Sequence, residues 1–126
     1  MADYNRVLIM GRLTRDTELR YTPSGTAVAD FNVAVNRNFT TADGVQKRET
    51  CFVDVTAWRQ LAEQCKDRLK SGSNVFVDGR LHLDTWNGPD GEKRNKLRVV
   101  AENVMFLDKP SEVPQAMAMA PEKYEF

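Results

Sequence analysis

Two stretches of this chain alternate apolar and polar residues with a period of two, and in both the large rings fall on the polar phase. In Thr50 to Trp58, Cys51, Val53, Val55 and Ala57 are small and apolar, while Thr50, Phe52, Asp54, Thr56 and Trp58 form the other set. In Val75 to Trp86, Val75, Val77, Leu81 and Leu83 share one phase, and Phe76, Asp78, Arg80, His82, Asp84 and Trp86 the other. Successive side chains of a strand point to opposite faces. Each stretch therefore reads as a strand with one apolar face and one face mixing rings with charge. Alternation sustained over this length excludes a helix and calls for a sheet closed over a core.

The rest of the chain fits the same plan. Val7 to Leu13 opens as an apolar strand followed by a loop at Thr14-Arg15-Asp16, and Thr22-Pro23-Ser24-Gly25 is a turn. Ala27 to Asn36 alternates with Ala29, Phe31, Val33 and Val35 on one face, and Ala42-Asp43-Gly44 marks a turn inside a polar loop that takes in Phe39. Glu49 to Trp58 is the next strand. Arg59 to Lys70 is the one helical stretch, with Leu61, Ala62, Cys65 and Leu69 at helical spacing and Gly72 placed to stop it. Val75 to Trp86, the turn Asn87-Gly88-Pro89-Asp90-Gly91, and Lys96 to Leu107 complete the series. An all-β chain of five strands with one helix between strands 3 and 4 has the order of an OB-fold barrel. Pro110, Pro114 and Pro121 lie in an aperiodic end, so residues 1–107 are expected to form the domain and 108–126 a flexible, disordered tail.

Composition narrows the function. The 126 residues are 41% hydrophobic and 29% charged, which suits a single domain with a real core. The longest apolar run, Val7-Leu8-Ile9-Met10, is too short to span a membrane, and Asp3 and Arg6 interrupt any secretory signal. Cys51 and Cys65 lack CxxC spacing and His82 is the only histidine. A zinc site needs about four ligands, so no metal or cofactor is expected. Cys51 falls on the inward phase of its strand and Cys65 on the helix stripe, where buried free thiols are common. The net charge of zero, from 18 basic and 18 acidic residues, counts against binding by bulk positive charge. A polyanion would have to be met by a local patch.

The outward rings supply a reason for one. A ring on an exposed strand face forgoes roughly 1.5–3 kcal/mol of burial, whereas stacking a nucleobase on it is worth about 1–3 kcal/mol without reading sequence. Phe52 and Trp86 suit a stacking surface. Phe76, with nothing basic immediately beside it, suits packing or an interface, and Trp58 could instead staple the helix start over Leu61 and Ala62. Lys93, Arg94, Lys96 and Arg98 lie in a run without acid, Arg37, Lys47 and Arg48 flank the earlier loop, and Arg80 shares the phase of Trp86. Cations bordering a ring-bearing face are what a single strand of nucleic acid requires. Two other readings use the same face: a nuclease gathering Asp54, Asp78 and Asp84 around a divalent metal, and a protein–protein surface built on the rings. The absence of a P-loop, a second histidine or an activated serine motif weighs against catalysis.

The run Asn5-Arg6-Val7-Leu8-Ile9-Met10-Gly11-Arg12-Leu13-Thr14-Arg15-Asp16 and the following Leu19-Arg20-Tyr21-Thr22-Pro23-Ser24-Gly25-Thr26-Ala27-Val28-Ala29 resemble the opening of the bacterial single-stranded DNA-binding protein family. The likeness continues through Ala34-Val35-Asn36-Arg37, Trp58-Arg59-Gln60-Leu61-Ala62-Glu63, Lys70-Ser71-Gly72-Ser73, Val77-Asp78-Gly79-Arg80-Leu81 and Val99-Val100-Ala101-Glu102-Asn103-Val104. The resemblance implies an OB-fold and a cytoplasmic, nucleoid-associated homotetramer. It further implies sequence-tolerant binding of single-stranded DNA in replication, recombination and repair, without enzymatic activity. The family's stacking positions fall on Phe39, Phe52, Trp58 and Trp86, which moves Trp58 away from the staple reading. Two of those positions more often carry tryptophan, so Phe39 and Phe52 keep a π-face but lose ring area and the indole N–H. Arg37, Arg80, Lys93, Arg94 and Arg98 are the candidate phosphate contacts. The family tail closes with an acidic run and Ile-Pro-Phe that docks replication and repair proteins. Here Lys123 and Tyr124 interrupt the acids before Glu125 and Phe126, the candidate partner tip.

Overall fold

Long alternating strands make up most of the structure, a computed structural model that describes residues 2–107. In chain order these are β1 (Val7–Leu13), β2 (Glu18–Tyr21), β3 (Ala27–Thr40), β4 (Gln46–Trp58), the helix α1 (Gln60–Arg68), β5 (Asn74–Asn87) and β6 (Lys93–Phe106). The sheet runs β1-β5-β6-β4-β3-β2, and β3 also pairs with β1 at Leu13↔Val33, which closes five strands into a barrel. β4 and β6 meet in parallel at Val55↔Val99, and the other pairings are antiparallel. This is the expected OB-fold barrel, with α1 between its third and fourth strands.

β2 is an addition to the expected plan. Its four residues carry one inward apolar side chain, Leu19, too little alternation to announce a strand, and it hangs on β3 outside the closed ring.

The core is what the alternation foretold. Phe31 and Val33 of β3, Val55 and Ala57 of β4, Val75 and Val77 of β5, and Val99 of β6 are buried. Ala62 and Cys65 of α1, with Leu69 just beyond it, are buried in the same cluster, so the helix stripe covers the barrel. Burying Phe31, Leu69 and the valines contributes roughly 1.5–3 kcal/mol each. Gly11 and Gly79 make the closure sterically feasible: a Cβ at Gly11 would lie 2.3 Å from the Ala34 carbonyl oxygen, and one at Gly79 would lie 2.2 Å from that of Val100. The register of β5 against β6 also slips at Asp78/Gly79, where Glu102 is left without a pair. Such a bulge bends the strand around the barrel.

β3, β5 and β6 are 14 residues each and β4 is 13, or about 45 Å at the rise of a strand. They overrun the barrel as two ribbons. The first ends in a turn closed by Thr41 N–H donating to the Val45 carbonyl, the second in one closed by Gly88 N–H donating to that of Glu92. The overrun corrects three expectations. Leu81 and Leu83, placed inward by phase, are exposed, and so is Cys51, because no opposite wall exists beyond the closure. Phe39, expected in a loop, lies on β3 and pairs with Lys47.

Candidate nucleic-acid interface

Directly opposed residues on neighbouring strands share a face, so the registers define one continuous surface. From β5 come Arg80, His82, Asp84 and Trp86, opposite Val100, Arg98, Lys96 and Arg94 of β6. Across the parallel pair Thr56↔Val100 lie Phe52, Asp54, Thr56 and Trp58 of β4. Beyond them stand Ala34, Asn32, Asp30 and Val28 of β3, then Glu18 and Arg20 of β2. Phe52, Trp58 and Trp86 are 65%, 42% and 46% exposed on this face. None is tucked inside the barrel. Phe76 is half-buried among Met10 and Met105, its cross-strand neighbours.

Of the sequence candidates, the structure thus brings together Phe52, Trp58, Trp86, Arg80, Arg94 and Arg98. Arg37, Phe39 and Lys93 occupy the opposite phase of their ribbons: Arg37 and Phe39 continue the inward series of Val33 and Val35, and Lys93 pairs with Asn87. Arg37 Cζ lies 4.7 Å from the Phe39 ring centroid, and Arg37 Nη1 lies 3.1 Å from Glu49 Oε1. Glu125 and Phe126 lie outside the described residues.

Beside Trp58 the face is a groove of about 330 Å³, bordered also by Arg20, Arg80, His82 and Arg98. Its floor is a charge network. Arg20 Nε lies 2.9 Å from Asp30 Oδ2, and Arg98 pairs with Asp84 and stands 3.6 Å from Asp30 Oδ1. Thr56, in the outward phase yet buried, accepts a hydrogen bond from Arg98 Nη1 at 2.9 Å and donates to Asp30 Oδ1 at 2.9 Å. Lys96 pairs with Asp54, which also accepts from Asn32 Nδ2 at 2.9 Å. Lys96, and secondarily Asn32, hold the Asp54 carboxyl below its usual range. Arg94 reaches Asp90 at 3.2 Å, and Arg80 approaches Glu102 at 3.9 Å. Lys93 forms no ion pair among the described residues.

Arg20 was missed by sequence reasoning because it sits on the unrecognised β2, although Glu-Leu-Arg-Tyr ahead of the Thr22–Gly25 turn is a short hairpin signal. Asp54, Asp78 and Asp84 do not converge on a metal position. They face Lys96, Arg6 and Arg98 respectively, and among the described residues no group of three or more His, Cys, Asp or Glu could hold a metal ion. No helix of the described residues is long and apolar enough to cross a membrane.

The sequence profile of the Single-strand binding protein family matches residues 4–107. The chain belongs to this family. It is 48% identical over 105 residues to a single-stranded DNA-binding protein of Wolinella succinogenes, covering 83% of this chain and 65% of that one. Against the single-stranded DNA-binding protein of Helicobacter pylori it is 40% identical over 116 residues, covering 92% and 65%. Among solved structures, a deletion mutant of the single-stranded DNA binding protein from Thermus aquaticus superposes with a TM-score of 0.77 at 34% identity, covering 86% of this chain and 52% of that one. The chain thus spans about 65% of the length of these two curated relatives.

Proposed function

We propose that this protein binds and protects single-stranded DNA without reading its sequence, in replication, recombination and repair, and that it is a binding protein rather than an enzyme. The observation that carries the reading is the exposure of Phe52, Trp58 and Trp86 on one face with Arg80, Arg94 and Arg98. Flat rings offer every base a π-surface, and neighbouring cations neutralise phosphates on the same strand. Phe39 is a fourth stacking position, reached where the β3–β4 ribbon leaves the barrel, with Arg37 beside it. Lys93 serves phosphates from the second ribbon, where no carboxylate need be displaced. Arg98 stays tied to Asp84 and Asp30 until a phosphate replaces a carboxylate. Stacking therefore supplies more of the affinity than net charge does.

Residues 1–107 are the proposed binding domain. Residues 108–126 are the proposed appendage, with Glu125 and Phe126 as the tip that meets replication and repair proteins in a cytoplasmic, nucleoid-associated setting. A homotetramer is the proposed assembly. Support comes from exposed apolar side chains that no described element covers, Leu8 and Met105 on the β1–β5–β6 wall and Leu83 and Leu97 on the back of the β5–β6 ribbon.

The test is a titration with dT, rU and duplex oligonucleotides at two salt concentrations, read by tryptophan fluorescence. Quenching of Trp58 and Trp86 by single strands, with affinity falling as salt rises, is expected. Equal binding of duplex, or an unaltered emission spectrum, overturns the reading.

A further inference from the structure

We propose that Arg59 is a further phosphate contact, set beside Trp58 at the cost of a strained backbone; the proposal rests on the single-stranded DNA reading above. Among the described residues Arg59 is the only non-glycine at positive φ, with φ 61° and ψ −130°, a place otherwise taken by Gly25, Gly44, Gly72 and Gly91. These angles are those of the first central position of a type II′ turn, where glycine is the favoured residue. A residue with a Cβ is held there only when its surroundings impose it, and such strain gathers at functional sites.

The surroundings are plain. The Arg59 N–H donates to the Ala27 carbonyl at 2.8 Å, and the Arg59 carbonyl accepts from the Glu63 N–H at 3.3 Å. Both bonds are made by the main chain, so a glycine would make them equally and without strain. The arginine side chain does nothing for the core, since the residue is exposed. It also forms no ion pair or hydrogen bond among the described residues, whereas Arg20, Arg80, Arg94 and Arg98 each face a carboxylate. The chain therefore keeps a cation at a glycine position without any use for it in the fold.

Its use is set by its neighbour. Arg59 follows Trp58 by one Cα–Cα step of about 3.8 Å, and Trp58 borders the groove with Arg20, Arg80 and Arg98. A base stacked on Trp58 brings its own phosphate to this junction. An unpaired guanidinium meets that phosphate without first breaking an internal ion pair, so its full charge enters counterion release.

The test compares wild type, Arg59→Gly and Arg59→Lys by titration with an oligo-dT of about 15 nucleotides across a salt series, alongside thermal unfolding at one protein concentration. Arg59→Gly is expected to raise Tm by about 4 °C or more through relief of strain. For each Arg59 engaged, it should make the log K against log salt slope shallower by about 0.7. That corresponds to about eightfold weaker binding at ~50 mM salt and about threefold at ~200 mM. Arg59→Lys should keep the wild-type slope. A glycine variant whose slope matches wild type overturns the phosphate role, and one whose Tm falls shows that the residue serves the fold instead. Wild type without salt-dependent dT binding overturns the functional reading itself, a separate outcome.

Discussion

Trp86→Ala tests whether rings or charges dominate the interface, because this indole lies directly opposite Arg94 across the β5–β6 pair. The side chain is 46% exposed, so about half of its surface rests on the ribbon. A tryptophan buries about 150–250 Å² when fully covered. Half of that, about 100 Å² at ~25 cal/mol/Å², sets an upper cost near 2.5 kcal/mol to the fold. The binding cost is separate: one stacked base is worth about 1–3 kcal/mol, or roughly 5- to 150-fold in affinity. An indole carries no net charge, so its removal should lower affinity by one factor at every salt concentration. Arg94→Ala should do the reverse, making the salt slope shallower, by less than the about 0.7 of a cation without a partner because Asp90 already faces it, while leaving the stack in place. The assay is a fluorescence or anisotropy titration with dT, dC and dA oligomers over a salt series, with urea unfolding run on each variant. Trp86→Phe, which retains a ring, should recover most of the loss. The reasoning fails if Trp86→Ala binds like wild type, or if its loss is confined to one base.

Three further outcomes follow from the geometry. Cys51 is exposed whereas burial pushes the Cys65 thiol up to about 12; a thiol reagent at neutral pH should label one cysteine per native chain and two in denaturant, and rapid labelling of both would contradict the helix packing. Gly79→Ala drives a Cβ to 2.2 Å from a backbone oxygen that cannot turn aside, so it should cost at least the upper end of about 1–3 kcal/mol. Gly91→Ala, with open space but φ 78°, should cost about 1–2 kcal/mol, and chemical denaturation that reverses this order would refute the closure argument. Asp54 is held below the usual carboxylate range by Lys96, so the unfolded chain takes up its proton first as pH falls. The stability it contributes is whole above about pH 4 and disappears as pH drops through the lowered folded value. Lys96→Met should flatten that part of the acid-unfolding profile, and identical profiles would show that the pair contributes nothing.

Much of the site was legible because alternation is a property of the covalent chain. Each step along a strand turns the side chain over, so Phe52 and Trp58 were bound to share a phase with Asp54, and Trp86 with Arg80 and Asp84, wherever the strands went. The same local logic placed Leu61, Ala62, Cys65 and Leu69 on one helix stripe, and all but the half-buried Leu61 are fully buried. Parity could also have shown that Arg37 and Phe39 point away from Phe52, had β3 been recognised as running on to Thr40.

What alternation cannot supply is the wall on the other side. Phase says that Val77 and Leu83 point the same way. Only the closure of β1 onto β3 and β5 makes Val77 core and leaves Leu83 in water. Charge pairing is decided at the same level. Arg98 is one cation in a basic run until the β5–β6 register sets Asp84 next to it and the fold presents Asp30. The order of residues determined which side chains travel together. Burial and ion pairing depend on distances between strands far apart along the chain, and those distances exist only once the barrel has closed.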